Sequence, residues 1–262
     1  MSTSKAVADA PRGVLQRGLL VLRSFAKAPS GLSLSEVSRR TGLDRSTTYR
    51  MLQVLVEEGL LRQDAERQVY EPYLGLLHLG SIAMRNLGYA PFATHEVLIR
   101  LREQTGESAS FHIRTGAHRL CVDHAESMLP LRMTSRIGDE YPIFVGAPGR
   151  AIAAFLDDAD VEALIATQDA LGSWSGRVGA LRQELERVQS NGYAMSEGET
   201  TAFARAISAP VRELSGKVVG AINVSGPEAR FLTNPQEIEA CAEHLRKACA
   251  DLSESSGRSA AR

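Results

Sequence analysis

Apolar residues recur at helical spacing in the first quarter of the chain and predict three short helices. The first begins near Val14. The second opens with a capping box at residues 33–36 and ends at Gly42, where glycine can adopt the left-handed conformation. The third is capped by Asp44 and ends at Gly59. The apolar faces of the first and third helices are formed by Leu15, Leu19, Leu22, Phe25, Met51, Leu52, Leu55 and Val56.

Two apolar pairs flank a polar turn after the third helix. Leu60–Leu61 and Val69–Tyr70 lie on either side of residues 63–67, which predicts a two-stranded hairpin. Thr41-Gly42-Leu43 is the short glycine-containing turn that joins the two helices of a helix-turn-helix. With the hairpin as a wing, these elements predict a winged helix-turn-helix. An apolar helix over Pro72–Gly88 then connects this part to the rest of the chain.

From about Tyr89 the pattern mixes alternation with helical spacing. A helix is predicted up to Thr105–Gly106. Further helices are predicted over 146–156, 160–168, 179–191 and 234–252, and strands over 109–114, 120–126, 131–136, 193–197, 206–213 and 218–225. This order is typical of an α+β domain with an antiparallel sheet and flanking helices.

These patterns predict two domains joined by a helix. We expect a winged helix-turn-helix over residues 12–73, a linker helix over 74–88 and a second domain over 89–252, with disordered segments at 1–11 and 253–262. The length of 262 residues suits two modest domains.

Composition narrows the class of protein. No run of eighteen apolar residues exists to form a transmembrane helix, and the N-terminus has no apolar signal-peptide core. The three cysteines form no disulfide framework. We therefore expect a cytoplasmic protein with no membrane partner. Residues 1–72 carry a net charge of +3 and the remainder −4, which permits a DNA-binding head on a body that does not bind DNA.

The start of the third helix has the composition of a DNA-recognition helix. Residues 44–50 are rich in hydroxyl and guanidinium groups. Such groups bind base edges and phosphates in the major groove of double-stranded DNA. The candidate DNA-binding residues are Arg45, Ser46, Thr47, Tyr49 and Arg50 on the helix, and Arg62 and Arg67 on the wing. The same helices could instead form a protein-interaction module whose arginines only face solvent.

An ordered set of short motifs resembles the IclR family of transcriptional regulators over about residues 12–252. The motifs are Leu15–Leu22, Gly31–Val37, Gly42–Leu52, Glu58–Leu60, Thr105–Ser108, Pro130–Met133, Arg136–Gly138, Gly149–Ala151, Gly192–Ala194 and Ile222–Pro227. The resemblance implies a winged helix-turn-helix, a linker helix and a GAF-like effector-binding domain. It also implies dimers, often paired into tetramers, on palindromic or repeated operators, and a repressor more often than an activator.

The resemblance further implies an effector pocket between the loop at Gly146–Gly149 and nearby strands. Glycine and small residues at this helix start would leave room for a ligand, and free N–H groups would favour a carboxylate. The candidate effector-binding residues are Leu131, Met133, Ala147, Pro148, Glu197, Ala206, Asn223 and Ser225. Met195-Ser196-Glu197, Ala206, Pro148 and Asn223 depart from the common family pattern. These departures leave both a small 2-oxo acid and a larger, more apolar organic acid, including an aromatic one, open as effector.

The second domain shows no convincing catalytic or metal-binding constellation. His112, His118, Cys121 and His124 match no strong zinc spacing, and strand alternation would point them in different directions. His112 and His124 are instead expected to face solvent, a partner surface or a pocket wall. We expect no cofactor, no metal and no catalysis. The leading hypothesis is a regulator of a catabolic operon, and the alternatives are a regulator-derived enzyme that turns over its ligand or a non-DNA interaction module.

Overall fold

The computed structural model of the chain describes residues 13–26, 28, 30–86, 91–213 and 215–259. These residues form two compact units, with the boundary between Met84 and Arg85. The segment 1–11, which was expected to be disordered, lies outside the described residues. No helix in the described part of the chain is both long and apolar enough to cross a membrane.

The N-terminal unit consists of helices and one small hairpin. Its elements are α1 (Val14–Arg23), α2 (Leu34–Thr41), α3 (Arg45–Glu57), β1 (Leu61–Asp64), β2 (Val69–Pro72) and α4 (Leu74–Asn86). β1 and β2 pair antiparallel, with Leu61 opposite Pro72. Tyr70 of β2 also bridges to Leu32, just before α2. The predicted three helices, hairpin and connecting helix are confirmed.

Local signals in the sequence set the limits of α2 and α3. The Ser33 hydroxyl accepts a hydrogen bond from the Glu36 N–H, and the Glu36 carboxylate accepts one from the Ser33 N–H at 2.8 Å. Gly42 ends α2 with φ of +71°, a conformation that glycine adopts without strain. Asp44 Oδ1 then accepts the Thr47 N–H at 2.8 Å and caps α3. These caps fix the angle at which α3 leaves the turn.

A small core holds the N-terminal unit together. It is formed by the buried residues Val21, Phe25, Ala28, Leu32, Val37, Leu52, Leu61 and Tyr70. Leu15 and Leu19, which were expected on the buried face of α1, are exposed. The buried face of α1 is centred on Val21 instead, so the helix is rotated with its first leucines away from this core.

The C-terminal unit is an α+β domain, as predicted. Its elements are α5 (Pro91–Thr105), β3 (Ser108–Thr115), β4 (His118–Ala125), β5 (Glu140–Pro142), α6 (Ala147–Ala153), α7 (Asp158–Ile165), α8 (Gln168–Leu171), a 3₁₀ turn (Gly172–Trp174), α9 (Val178–Asn191), β6 (Ala194–Glu197), β7 (Ala204–Arg212), β8 (Val218–Pro227) and α10 (Pro235–Ser259). The strands form one antiparallel sheet in the order β5-β4-β3-β8-β7-β6.

The two faces of this sheet pack against different helices. One face packs on α5 and α10 through a core that includes Leu98, Phe111, Ile222 and Leu245. The other face meets α6 and α9 through a second core around Phe144, Ile152, Leu181 and Ala221. Because side chains alternate along a strand, residues between the buried apolar positions of β3 and β8 point to this second face. That face carries the buried polar residues.

Residues 131–136 do not form the predicted strand. Side chains bind their backbone carbonyls instead: Ser108 Oγ donates to Met133 O at 2.5 Å, and Arg230 Nη2 donates to Leu131 O at 2.7 Å. The edge of β4 pairs with β5, so His118 lies opposite Pro142. The alternation of Leu131, Met133 and Ser135 therefore resembles a strand without a neighbouring strand to pair with.

The last helix continues past its predicted end at Leu252. α10 runs to Ser259, within the segment expected to be disordered, and residues 260–262 lie outside the described chain. Leu252 is buried and is the last apolar residue in the sequence of the helix. Intrahelical hydrogen bonds extend the helix beyond the point where the apolar periodicity of the sequence stops.

Candidate functional site

The N-terminal end of α3 presents an exposed polar surface. Arg45, Ser46, Tyr49 and Arg50 are exposed, and Tyr49 retains 49% of its accessible surface. Arg45 Nη1 donates to the Ser35 hydroxyl of α2 at 3.0 Å. The N–H and hydroxyl of Thr47 hold the pKa of Asp44 below its ordinary value, so the cap stays ionised. Of the five helix residues expected to read DNA, four lie on this surface.

Thr47 is the exception. Its side chain is only 7% exposed, and the following Thr48 is completely buried. The Thr48 hydroxyl donates to the Asp44 carbonyl at 2.9 Å. Both threonines therefore face the interior of the N-terminal unit, and Thr47 contributes its N–H to the cap of α3.

The two wing arginines are held by carboxylates of the hairpin. Arg62 Nη2 and Arg67 Nη1 each lie 2.8 Å from a carboxylate oxygen of Glu71. Arg67 Nη2 also donates to Ser30 O at 2.8 Å. Both side chains remain more than half exposed. They can face a phosphate from this position, although Glu71 already neutralises part of their charge.

The second candidate site is a cavity on the polar face of the large sheet. Its interior volume is about 60 Å³, and the space that includes its open mouth is about 600 Å³. All six strands contribute to its wall: Tyr141 from β5, Arg119 from β4, His112 from β3, Asn223 from β8, Ala206 from β7 and Ser196 from β6. The cavity therefore runs across the sheet rather than along one strand.

A row of hydrogen-bonded polar side chains crosses the floor of this cavity. Arg119 Nη1 lies 3.1 Å from His112 Nδ1, and His112 Nε2 lies 3.0 Å from Ser110 Oγ. Asn223 Nδ2 donates to the same hydroxyl at 3.4 Å. These four residues are at least 96% buried. Buried polar groups of this kind are costly unless they are paired, so the row is a specific feature of the site.

Arg119 is the cation of the cavity. Its Nε donates to Val145 O at 3.0 Å, and its guanidinium lies 4.6 Å from the centre of the Tyr141 ring. Burial lowers the pKa of Arg119 to about 10, so it remains protonated near neutral pH. Among the described residues it forms no ion pair within 4 Å, although the charge of Glu199 acts on it from farther away.

Glu199 forms another part of the wall and is already paired. Arg150, which is fully buried, donates through Nη1 and Nη2 to the two Glu199 oxygens at 2.7 Å each. The Gly146 N–H donates to Glu199 Oε2 at 2.9 Å. The free N–H expected at the start of this loop is therefore bound by an internal carboxylate, and Pro148 has no N–H to offer.

The structure places five of the eight proposed effector-binding residues at this cavity: Met133, Pro148, Ala206, Asn223 and Ser225. The other three lie elsewhere. Leu131 is 63% exposed and binds Arg230 through its carbonyl. Ala147 packs completely buried in the core under α6. Glu197 is exposed at the end of β6 and pairs with Arg205. Their side chains do not line this cavity, and their role in effector binding stays a prediction.

Sequence reasoning missed Arg119, Tyr141 and Glu199. His112 was expected at a pocket wall among other places, and it lies there. The available signal was the alternation in β3, where Ser108, Ser110 and His112 alternate with apolar residues. That pattern marks one polar face in a strand that is buried on both sides. Arg119, as a single arginine, had no such pattern around it.

The structure does not bring the predicted histidines and Cys121 together as a set of metal ligands. Among the described residues, no group of three His, Cys, Asp or Glu side chains could hold a metal ion. Burial raises the pKa of the Cys121 thiol to about 12, so the thiol is protonated near neutral pH. Burial, and then Arg119, lower the pKa of His112 well below its usual value.

Two family models match the chain. Residues 14–65 match the IclR helix-turn-helix domain, and residues 92–254 match the domain described as Bacterial transcriptional regulator IclR C-terminal. Together they include the exposed surface of α3 and every residue of the cavity wall.

Individual proteins agree with the family match. The chain is 30% identical to the HTH-type transcriptional regulator KipR of Bacillus subtilis over 218 residues, which is 82% of this chain and 86% of KipR. It is 26% identical to the HTH-type transcriptional repressor AllR of Escherichia coli K12, covering 86% of this chain and 84% of AllR. An IclR homologue from Microbacterium hydrocarbonoxydans, solved in complex with 4-hydroxybenzoate, superposes with a TM-score of 0.77 at 22% identity, covering 92% of this chain and 98% of that one.

The helix-turn-helix, the antiparallel sheet domain and these relatives lead to the same assignment. The chain belongs to the IclR family of DNA-binding transcriptional regulators, in which the C-terminal domain binds small-molecule effectors.

Proposed function

We propose that this protein is a repressor of a catabolic operon. It binds operator DNA through α3, and an organic acid bound in the sheet cavity controls that binding. The exposed surface at the start of α3 is the observation that supports DNA binding most directly. Arg45, Tyr49 and Arg50 are long enough to reach base edges or phosphates from a helix in the major groove. Ser46 is short and allows the helix end to approach the backbone. The protein would act in the cytoplasm, where bacterial operators lie.

Arg50 provides the sharpest test of this DNA-binding role. In the described chain its guanidinium has no hydrogen-bond partner, and its charge only helps to lower the pKa of Asp44. If it binds a guanine edge, Arg50→Ala should weaken specific operator binding by about 1–3 kcal/mol, or roughly 5- to 150-fold. Fluorescence anisotropy with an operator duplex selected from the neighbouring promoter measures this affinity.

Arg246→Ala is the matched control, because it removes one exposed arginine of α10 that pairs with Glu239. It should leave operator affinity unchanged. If Arg50→Ala binds the operator as tightly as the unchanged protein does, the recognition surface is wrongly placed. Affinity for the operator should also fall steeply with salt, since phosphate contacts release counterions. A protein-interaction module would show neither effect.

The effector assignment rests on the cavity and its chemistry. Met133, Pro148, Ala206, Asn223 and Ser225 line a cavity that opens to solvent and whose wall contains a protonated arginine. The 4-hydroxybenzoate complex of the Microbacterium relative supports an organic acid, including an aromatic one. The name of AllR supports repression. Release of the operator on effector binding requires that the effector bind the DNA-competent state less tightly than the other state.

Self-association is part of the same proposal. Repressors of this architecture engage two half-sites about 34 Å apart, which requires two helix-turn-helix heads. The N-terminal unit leaves large apolar side chains exposed on α1 and α4: Val14, Leu15, Leu19, Leu74, Leu77, Leu79 and Ile82. Large apolar side chains exposed along a helix can mark a protein–protein interaction site. A second copy of the chain, in a dimer or tetramer, would cover it, and sedimentation equilibrium measures that assembly. Changes in α4 would then alter the spacing of the heads.

A further inference from the structure

The cavity wall contains a cation that has no carboxylate of the described residues within ion-pair distance. Glu199 is paired with Arg150, and the Asp139 carboxylate keeps its charge while it accepts the Arg136 N–H at 3.0 Å. His112 accepts a hydrogen bond from Arg119 and is held neutral by burial. Arg119 is therefore a cation, 4% exposed, that faces the cavity without a paired carboxylate among the described residues. A buried charge without a counter-charge is costly, and an anionic ligand would supply one.

Arg119 has one nitrogen left to offer. Nε is bonded to Val145 O and Nη1 to His112. Nη2 lies beside Gly146, where an added Cβ would be 3.0 Å away from it. Within the described chain Nη2 has no hydrogen-bond acceptor. An arginine donates strong, charge-assisted hydrogen bonds to a carboxylate, so this nitrogen is a fixed anion donor in the wall.

The side-chain oxygen of Asn223 is a hydrogen-bond acceptor in the cavity that lacks a donor. Asn223 is 4% exposed and lines the cavity, and its Oδ1 atom is buried without a hydrogen-bond donor. Its Nδ2 is occupied by Ser110 Oγ. Buried acceptors are nearly always satisfied, so an orphan acceptor in a ligand cavity calls for a donor on the ligand. A carboxylate alone cannot supply that donor.

The two groups lie on different strands. Arg119 is on β4 and Asn223 on β8, with β3 between them. Their backbones are separated by two strand spacings, about 10 Å across the sheet, and also by an offset of four residues along β3. The His112–Ser110 pair fills the floor between them. A ligand that satisfies both must therefore carry its anion and its hydrogen-bond donor on separate ends.

We propose that Arg119 and Asn223 together select a carboxylate that carries a remote hydroxyl or N–H donor, with the carboxylate bound at Arg119 and the donor bound at Asn223 Oδ1. This selection rests on the proposed function, in which the cavity binds the effector. His112 is a positioning residue, because it fixes Arg119 Nη1 and leaves Nη2 for the ligand.

Matched ligands test the selection on the unchanged, full-length protein. Calorimetric titration compares 3- and 4-hydroxybenzoate with 2-hydroxybenzoate, benzoate and the 3- and 4-hydroxybenzamides. An aliphatic series uses 4-hydroxybutyrate, butyrate and 4-hydroxybutyramide. In at least one series, the acid with the remote hydroxyl should bind at least about tenfold more tightly than both its deoxy acid and its neutral amide. The selection is overturned if neither hydroxy acid series binds, or if the deoxy acids or amides bind as tightly.

Two variants assign the two ends of the ligand. Asn223→Leu should abolish the preference for the hydroxy acid over the deoxy acid and keep the preference for acid over amide. Arg119→Met should abolish the preference for acid over amide. Arg114→Met is its matched control, because Arg114 lies opposite Arg119 in the register of β3 and β4 but pairs with Asp160 outside this cavity. If Arg119→Met does not fold, the amide comparison on the unchanged protein decides that half. An Asn223→Leu protein that still prefers the hydroxyl overturns the other half.

Operator binding separates this selection from the proposed function. If a remote hydroxy acid binds selectively but leaves operator affinity unchanged, the selection stands and the effector role fails. If operator affinity responds to a cavity ligand that has no carboxylate, the effector role stands and the selection fails.

Discussion

His112 lies between Arg119 and Ser110 in the interior of the C-terminal unit, and both of its ring nitrogens have partners. Because an arginine can only donate, Nδ1 must accept its hydrogen bond, and Nε2 must carry the proton that it donates to Ser110. The ring is therefore neutral. Protonation would place a second positive charge 3.1 Å from the guanidinium, in the interior. Burial and this charge together keep the pKa well below 6.5.

The lowered pKa of His112 makes the folded state less stable at acidic pH. In the unfolded chain the imidazole binds a proton near pH 6.5, whereas in the folded chain it does so only at much lower pH. The folded state should therefore lose stability as the pH falls below about 6.5, by up to about 1.4 kcal/mol per pH unit. Urea unfolding of the C-terminal unit at pH 7.5, 6.5 and 5.5 measures the slope.

His112→Gln is the comparison that isolates this group. Other titrating side chains contribute equally to both proteins, so the difference between the two slopes belongs to His112. The variant should show a shallower loss of stability below pH 6.5. Parallel slopes would mean that folding does not lower the pKa of His112.

Some residues of the cavity could be predicted from the sequence and others could not. Asn223 and Ser225 were expected at the cavity and line it, because their place in a buried strand and the family motif agree. Arg119 was not expected, because an arginine in a strand usually faces solvent. Its burial depends on Tyr141 and Val145, which approach it only once β5 and the following loop are folded. No local pattern contains that information.

Among the elements, α6 depends on a glycine for its position against the sheet. Gly149 lies so close to the preceding turn that an added Cβ would be 1.7 Å from the Ile143 carbonyl oxygen and 3.1 Å from Arg119 Cδ. Both neighbours are fixed: Ile143 is fully buried and Arg119 is bonded to Val145 and His112. The helix can therefore approach the cavity wall only because this position has no side chain.

Gly149→Ala should destabilise the C-terminal unit by at least about 1–3 kcal/mol, because the backbone must move to remove the overlap. Gly179→Ala on α9 is the matched control. No atom lies within 4 Å of its added Cβ, and alanine is the better helix former, so this change should be neutral or slightly stabilising. Chemical unfolding of both variants gives the comparison. Equal stabilities would show that α6 has room beside Ile143.

Elements whose limits are local were predicted well, and those that depend on pairing were not. The Ser33 capping box, Gly42 and the Asp44 cap each lie next to the residues they control, so α2 and α3 begin and end as expected. Residues 131–136 alternate like a strand, but side chains of Ser108 and Arg230 bind their carbonyls. Whether an alternating segment joins a sheet depends on residues far away in the sequence.

The whole molecule divides its two candidate sites between two compact units. The exposed surface of α3 belongs to the unit that ends at Met84, and every cavity residue belongs to the unit that begins at Arg85. Each unit has a separate apolar core. The sequence predicts domain boundaries after residues 73 and 88, with a linker helix between them, and these boundaries stay a prediction. The contacts between residues divide the chain at one place, inside α4.

A fragment of residues 85–262 should therefore fold alone. It should bind the preferred hydroxy acid with the affinity of the full chain, because it contains the complete cavity wall, and it should not bind the operator. Circular dichroism and calorimetric titration of the fragment measure both properties. A folded fragment with much weaker ligand binding would mean that the first unit contributes to the site.

The cavity lies across the strands of the sheet, and this position affects how related regulators can change the ligand that they recognise. Neighbouring strands keep a constant separation of about 4.8 Å. The number of strands between two polar side chains therefore sets the distance between them across the sheet. Arg119 and Asn223 lie two strands apart in the order of the sheet. Moving the acceptor to Ala206 on β7, the next strand, would lengthen the ligand that fits the cavity by about one strand spacing and leave the backbone hydrogen bonds untouched. A point substitution on one strand can thus retune what the regulator recognises while every helix and strand stays where it is.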